Sequence, residues 1–204
     1  MHLKKILLIV FSLFFCVVIH AQETNEDAEE DEKSFHFFMG GGNEYLKNMR
    51  LLNLNNSNYI VNRFITANAF YSLFETDLGS PIIGLGINSS YVNKNDSNFF
   101  YNTDLTAGIG FKFDLYQELS IYTVGNFSFG LDNKYKDNQY ILPFFTKYSG
   151  GLMFLVSYTI AQLIHIGIGG QVYKNYFTVV FQNQTEEKGT FDSGYLMFMI
   201  GFSL

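Results

Sequence analysis

The side chains best suited to acid–base chemistry lie in the segment YNTDLTAGIGFKFD, residues 101–114, which contains Asp104, Lys112 and Asp114. Two carboxylates that lie close together can act as general acid and general base at one reacting centre. A strand with a period of two places both aspartates on the same face, but their separation of ten positions corresponds to about 33 Å of strand. The two aspartates therefore cannot form a single catalytic site.

Histidine is the other candidate for chemistry near neutral pH. His2 and His20 lie in the N-terminal segment, which leaves His36 and His165 in the body of the chain. A lone histidine on the polar face of a strand predicts a structural hydrogen bond. For metal binding, no group of His, Cys and carboxylate residues has the spacing of a transition-metal site. The sequence therefore predicts no catalytic residue, metal or cofactor. An envelope enzyme that acts on lipid through His165 is the alternative.

The runs Met39–Gly42 and Gly167–Gly170 have the glycine content of phosphate-binding loops. Neither run is followed by the Lys-Ser/Thr pair or by the start of a helix that such a loop requires. We interpret both as strand kinks, bulges or close backbone contacts in a strongly curved small sheet.

The body of the chain has the alternation and the composition of β-strands. It is rich in aromatic residues, since the chain has 23 Phe and 14 Tyr with only two Pro and no Trp, and this composition favours strands over helices. Period-two alternation predicts eight strands. They span residues 34–45, 59–74, 81–92, 100–114, 119–131, 142–158, 163–181 and 191–204.

The connections between these predicted strands alternate in length. Four are long and mostly rich in Asn, Lys or acidic residues: 46–58, 93–99, 132–141 and 182–190. The other three, 75–80, 115–118 and 159–162, are shorter. Long loops at one rim and tight turns at the other are typical of barrels in the bacterial outer membrane. With a periplasmic N-terminus, the long connections would all lie outside the cell.

Residues 1–21 predict a secretory signal peptide. Lys4 and Lys5 precede an apolar run of 14 residues, and Ala21 marks the predicted cleavage site. The run is shorter than the roughly 17–25 residues of a spanning helix. An uncleaved anchor and a lipid anchor on Cys16, the only cysteine, are the alternatives.

The segment after the predicted signal peptide, residues 22–33, is strongly acidic, with seven carboxylates and one lysine. Like charges at this density repel one another, so the segment predicts a disordered linker. The body, residues 34–204, carries twelve acids and ten bases and has no basic patch for nucleic acid. We therefore predict a signal peptide, an acidic linker and one barrel domain.

The placement of charges decides whether this barrel faces water or lipid. A soluble barrel displays Lys, Glu and Asp on its outer strand faces, whereas most charges of the body lie in connections or on the polar, glycine-rich strand face. We predict an all-β fold: a closed antiparallel eight-stranded transmembrane β-barrel, an up-and-down meander with its apolar face toward lipid. Arg63 and Lys174 fall on the lipid side near upper strand ends, where long side chains reach the headgroups. Candidates for a polar network in the lumen are Glu44, Asp104, Lys112, Asp114, Lys147 and His165.

The final segment, Gly194–Leu204, alternates to its last residue and places five apolar side chains on one face: Leu196, Phe198, Ile200, Phe202 and Leu204. It resembles the closing strand of bacterial outer-membrane barrels, whose C-terminal signal is read by the barrel-assembly machinery. With the N-terminal signal and the loop pattern, the body resembles the small eight-stranded family that includes OmpX-like and OmpA-type barrel domains. The resemblance implies an outer-membrane protein in contact with outer-membrane lipid and with the assembly machinery, and we expect a monomer.

Eight strands leave an interior just wide enough for side chains, which argues against a general porin. We therefore predict a non-enzymatic protein that acts through its outer loops in adhesion, surface recognition or envelope integrity, with a host or cell-surface ligand. Leu51, Leu52, Tyr135 and Tyr140 are the candidate loop contacts. The alternative is a soluble secreted or periplasmic barrel that binds a small apolar ligand. In that case the apolar faces would point inward.

Overall fold

The computed structural model describes residues 34–47, 60–95, 98–116, 118–137, 140–142, 144–160, 163–180 and 186–204. These residues form nine antiparallel strands: β1 (Phe35–Lys47), β2 (Ile60–Ser72), β3 (Gly79–Asn95), β4 (Asn98–Tyr116), β5 (Leu119–Asp137), β6 (Tyr140–Leu142), β7 (Phe144–Ile160), β8 (Ile164–Val180) and β9 (Glu186–Ser203). Within these ranges no helix is long and apolar enough to cross a bilayer.

Eight long strands close into a barrel, which confirms the predicted fold. Each long strand pairs with its neighbour in sequence, and β1 pairs with β9. The short β6 pairs with β5 alone. Following the register partners once around the barrel from Asp104 returns to β4 at Asp114, ten residues further along. This stagger requires the strands to tilt by roughly 40° from the barrel axis.

The two ends of the barrel differ in the connections that they carry. The lower end, as we define it, carries the start of β1, the end of β9 and the connections that follow β2, β4 and β7. The upper end carries the other connections. Strands β4 and β5 contain 19 residues each, about twice the 9–11 residues with which a tilted strand crosses a bilayer. Long strands therefore project beyond the membrane.

Three of the predicted long loops consist largely of strand, which corrects their boundaries. Strand β3 continues to Asn95, β5 continues to Asp137, and β9 already begins at Glu186. Strand pairing continues there because backbone hydrogen bonds need no apolar side chain, whereas the apolar alternation that reveals a strand in the sequence ends outside lipid. Most of the first predicted loop, from 48 to 58, lies outside the described residues.

Apolar side chains cover most of the exterior of the barrel, and several charged side chains are buried inside it. Ile109 and Phe198 are 73% and 68% exposed, whereas Asp104 and Lys147 are 2% and 1% exposed. A water-soluble barrel has the opposite distribution. The inversion confirms the prediction that the apolar strand faces point outward, and it contradicts a soluble carrier with an apolar interior.

The interior is less polar than the sequence suggested, and its centre is filled by rings. Phe38 on β1 contacts Tyr122 on β5, from the opposite wall, with ring centroids 5.3 Å apart. Phe70 on β2 lies 6.1 Å from Phe38 and 5.5 Å from Tyr122. All three side chains are buried. The narrow lumen excludes water at this level, so aromatic side chains on the inward face are stabilised by packing rather than by solvent.

The glycines of the two runs lie within strands, and one of them shows why glycine is needed. A Cβ on Gly42 would collide with the backbone carbonyl of Leu196 on β9, so glycine allows the two strands to approach closely. Gly79 has a different role, because its φ of 127° suits glycine. It closes the β2–β3 turn, where the Thr76 hydroxyl donates to its carbonyl at 2.7 Å.

Candidate functional site

The upper half of the lumen holds a buried ion pair. Lys147 on β7 donates to Asp104 on β4, with Nζ and Oδ2 2.7 Å apart, and both side chains are almost completely buried. The same carboxylate oxygen accepts a hydrogen bond from the Asn102 amide at 2.8 Å. The Lys147 ammonium also lies 5.6 Å from the centroid of the Phe191 ring. Each charge is thus compensated within the protein, as burial in a low-dielectric interior requires.

Glu44 is fully buried on β1, opposite Tyr195 on β9 in the strand register. The two side chains are joined by a hydrogen bond. The Tyr195 ring also packs against Phe64, with centroids 4.6 Å apart. Glu44 and the ion pair of Asp104 with Lys147 therefore belong to the upper half of the interior.

A second, wetter group of charges lies at the lower mouth of the barrel. Lys112 and Asp114, two residues apart on β4, form an ion pair of 3.2 Å in which the aspartate side chain is 37% exposed. The Ser120 hydroxyl donates to the same carboxylate at 2.6 Å. The register thus places Asp104 and Asp114 in separate groups, each with its own lysine.

His36 and His165 meet at the lower end, around one serine. Ser203 on β9 contacts His36 Nδ1 on β1 at 2.7 Å and His165 Nε2 on β8 through a second, shorter hydrogen bond. The remaining ring nitrogens contact the hydroxyls of Ser34 at 2.8 Å and Thr159 at 3.0 Å. The ring centroids of the two histidines are 5.7 Å apart.

Sequence reasoning did not find the pairing of Ser203 with the histidines, because 38 residues separate Ser203 from His165. The alternation of β9 up to the last residues was the one available signal, since it puts Ser203 on the inward face. A serine beside a histidine is the arrangement of a nucleophile and its base. Here, however, all four imidazole nitrogens already contact hydroxyls, so the arrangement is suited to holding β1, β8 and β9 together.

The Ser203→Ala variant tests this structural role. We expect the free energy of unfolding to fall by about 1–3 kcal/mol, because two buried imidazoles each lose a hydrogen-bond partner. Urea unfolding in detergent, followed by the mobility difference between unheated and heated samples, measures it. Ser89→Ala is the control, since Ser89 bonds only the Thr103 hydroxyl among the described side chains. Equal stability of the two variants would contradict a stabilising role for Ser203.

Between these two groups, polar side chains bridge opposite walls of the lumen. The Asn88 amide on β3 donates to the Gln171 side-chain oxygen on β8 at 3.3 Å. Thr66 donates to the Asn88 oxygen at 2.6 Å and accepts from Asn68 at 2.9 Å. The ring contacts between β1 and β5 cross the lumen at one level. This polar bridge between β3 and β8 crosses it at a second level.

The four candidate loop contacts are only partly covered by the structure. Leu51 and Leu52 lie outside the described residues. The backbone of Tyr135 is part of β5 and that of Tyr140 is part of β6, and both belong to the small hairpin in which Asp137 is the register partner of Tyr140. Their role as contact residues stays a prediction.

Arg63 and Lys174 are exposed on the outer surface, on the side that the sequence predicts. Lys174 on β8 forms an ion pair with Asp192 on β9 at 3.1 Å. For metal binding, the described part of the chain contains no group of three or more His, Cys, Asp or Glu side chains that could hold an ion.

No protein-family model matches the sequence, and no curated protein matches it significantly. Solved structures do match the fold. Neisserial surface protein A is 15% identical, with a TM-score of 0.60 over 84% of this chain and 99% of that chain. Ail, the attachment invasion locus protein of Yersinia pestis, in complex with the heparin analogue sucrose octasulfate, is 10% identical, with a TM-score of 0.51 over 85% and 99%. At these identities the likeness shows the fold alone.

Proposed function

Because the chain is a small eight-stranded barrel of the bacterial outer membrane, we propose that it is a non-enzymatic protein that acts through the segments above the outer leaflet, in surface recognition or adhesion. The observation that carries this proposal is the filled lumen. Contacts between opposite walls cross it at two levels, through Phe38 with Tyr122 and through Asn88 with Gln171. These contacts across the lumen, and strands longer than a bilayer crossing needs, favour the upper end as the working surface.

The similarity to Ail raises the question of an anionic polysaccharide ligand, since that protein was solved with a heparin analogue. The four upper connections predicted from the sequence contain six basic and five acidic residues, so their net charge is close to zero. The first of them, 46–58, has two bases, Lys47 and Arg50, and no acid. Recognition by a mixed polar and apolar surface is therefore better supported than binding of a polyanion over the whole upper end.

Segment replacement tests the proposed function. Residues 48–58 and 134–142 are replaced by short Gly/Ser turns in full-length protein displayed on cells, and attachment to cultured epithelial cells and to heparin-coated surfaces is measured. We expect most of the attachment to epithelial cells to be lost while the barrel still folds. The control replaces the lower turn, 75–78, and should attach normally. The proposal would be refuted if the variant with replaced upper segments attached as well as the control variant with the replaced lower turn. Porin-like conductance in planar bilayers would also refute it.

To interpret the segment-replacement experiment, the orientation of the barrel in the outer membrane must be known. Single cysteines at Asn55, Asp96, Asp137 and Thr185 should react with an impermeant reagent on intact cells. Single cysteines at Asp77 and Gln117 should react only after the outer membrane is opened. The chain offers a clean background for this labelling, because its only cysteine lies in the predicted signal peptide.

A further inference from the structure

The upper wall of the barrel has a seam between β5 and β7, where neighbouring strands separate. The two strands are paired up to Phe129 and Tyr148, and above this row β7 continues to Phe144 beside β8. Strand β5 continues as well, beside β4 on one side and, from Tyr135, beside the short β6 on the other. Among the described residues, no register pair therefore joins β5 to β7 above Tyr148.

A second seam lies between β2 and β3. Their last register pair is Arg63 with Tyr91, although β2 begins higher, at Ile60 beside β1, and β3 continues to Asn95 beside β4. Together the two seams divide the described part of the upper wall into two sheets. We call the upper parts of β3, β4, β5 and β6 the front sheet, and those of β7, β8, β9, β1 and β2 the rear sheet.

Both seams lie above the hydrocarbon. Tyr148 and Tyr91 are each twelve residues from the lower end of their strand, at Ile160 and Gly79. With about 3.3 Å per residue and a tilt near 40°, this is about 30 Å along the barrel axis, whereas the apolar band is about 25 Å tall. Unpaired backbone groups are too costly in hydrocarbon, but above it water can bond to them. At this height the wall can therefore separate without exposing its backbone to lipid.

The buried ion pair of Asp104 with Lys147 joins the two sheets across the lumen. Asp104 lies on β4 in the front sheet, where Asn102 on the same strand donates to its carboxylate at 2.8 Å. Lys147 lies on β7 in the rear sheet, one residue above Tyr148, and its ammonium is 5.6 Å from the centroid of the Phe191 ring on β9. Each charge thus has a second contact within its own sheet, and the 2.7 Å bond between the charges connects the sheets.

We propose that this ion pair is a latch that closes the upper end of the barrel, and that the front and rear sheets separate along the seams when the latch is broken. Below the seams, backbone pairing around the whole wall keeps the barrel closed. Above them, the ion pair takes the place of the missing backbone bonds. A buried pair suits this role, because neutral groups can replace it at little cost in stability, whereas its charges specify which side chains must meet.

Cysteine labelling measures the separation of the sheets. Ser149 lies one row below the seam between β5 and β7, and Ser90 lies one row below the seam between β2 and β3. Cysteines introduced at these two positions are the upper reporters. A cysteine introduced at Ser157, near the lower end of β7, is the lower reporter, and all three serines are almost completely buried. The rate of reaction with a charged maleimide is measured on the folded full-length chain with Cys16→Ser, in detergent micelles.

The latch is removed by Lys147→Met with Asp104→Asn. The control, Lys112→Met with Asp114→Asn, removes the ion pair at the lower mouth. Heat-dependent gel mobility verifies that each variant folds. We expect removal of the latch to speed the labelling of both upper reporters at least about tenfold, which corresponds to about 1.4 kcal/mol in the opening equilibrium. The lower reporter should react at an unchanged rate, and the control variant should leave the upper reporters slow.

A urea titration tests the same separation with the latch intact. The upper reporters should become reactive at lower urea concentrations than the lower reporter, because separation of the sheets is a local opening that leaves the lower barrel paired. Exposure of all three reporters at the same urea concentration would show that the barrel opens only as a unit and would overturn the proposal. Unchanged rates at both upper reporters after removal of the latch, or an equal acceleration at the lower reporter, would overturn it as well.

Discussion

Replacement of Lys147 by alanine is expected to lower the free energy of unfolding by about 3–5 kcal/mol, the largest effect of any single substitution that we predict. Lys147 and Asp104 are 1% and 2% exposed and 2.7 Å apart. Without the ammonium, the carboxylate is left buried with Asn102 as its remaining donor among the described contacts. An uncompensated charge in a low-dielectric interior is costly. Urea unfolding in detergent micelles measures the change.

A double variant separates the loss of the pair from damage to packing. Lys147→Met with Asp104→Asn removes both charges at similar volume, and replacement of a buried pair by neutral groups is often neutral or stabilising. We expect the double variant to recover most of the stability that Lys147→Ala loses. Lys112→Ala, at the wetter lower mouth, should cost about 1 kcal/mol or less. A double variant as unstable as Lys147→Ala would show that the charges are not the cause.

Replacement of Ile109 by lysine is expected to destabilise the barrel by about 2–4 kcal/mol in lipid or detergent. Ile109 is 73% exposed on β4, and a lysine at such a position on a soluble protein would change stability by less than about 0.5 kcal/mol. On the exterior of a membrane barrel, near the middle of the apolar band, the ammonium must instead enter hydrocarbon. The loss of stability therefore distinguishes lipid from water around the strands.

Depth provides the control for this substitution. Phe129 is 52% exposed on β5 and is the register partner of Tyr148, near the upper edge of the apolar band. There the cost of a lysine falls to about 0–1 kcal/mol, because the side chain reaches the headgroups. A similar, small effect at both positions would be inconsistent with a bilayer around the barrel.

The filled lumen also separates stability from function, two properties that the interior of an outer-membrane barrel often combines. In a porin the interior carries the function, whereas here Lys147 and Asp104 form a buried ion pair and the rings of Phe38, Phe70 and Tyr122 pack across the axis. The interior then serves stability, and the exposed surfaces are free to differ in chemistry. The upper segments are the surface where recognition is proposed.

The strand boundaries in lipid could be predicted from the sequence, and those beyond it could not. Inside the bilayer each strand must place apolar side chains on one face, so Leu152 and Phe154 face out while Met153 and Ser157 face in, as the alternation indicates. Beyond the bilayer both faces meet water and the alternation is lost. The extension of β5 to Asp137 and the hairpin with β6 were therefore predicted as loop.

By itself the sequence determined which face of each strand points outward. Alternation with a period of two is a local property, so it can be recognised within one segment from the positions of its apolar residues. It could not determine which inward side chains meet. That depends on the stagger of the strands around the closed barrel, which returns to β4 ten residues further along and sets every contact across the lumen. Only this closure puts Lys147 on Asp104 rather than Asp114, and brings Ser203 between His36 and His165. The stagger of the closed barrel is the sum of the offsets between all neighbouring strands, so no single segment of the sequence determines it.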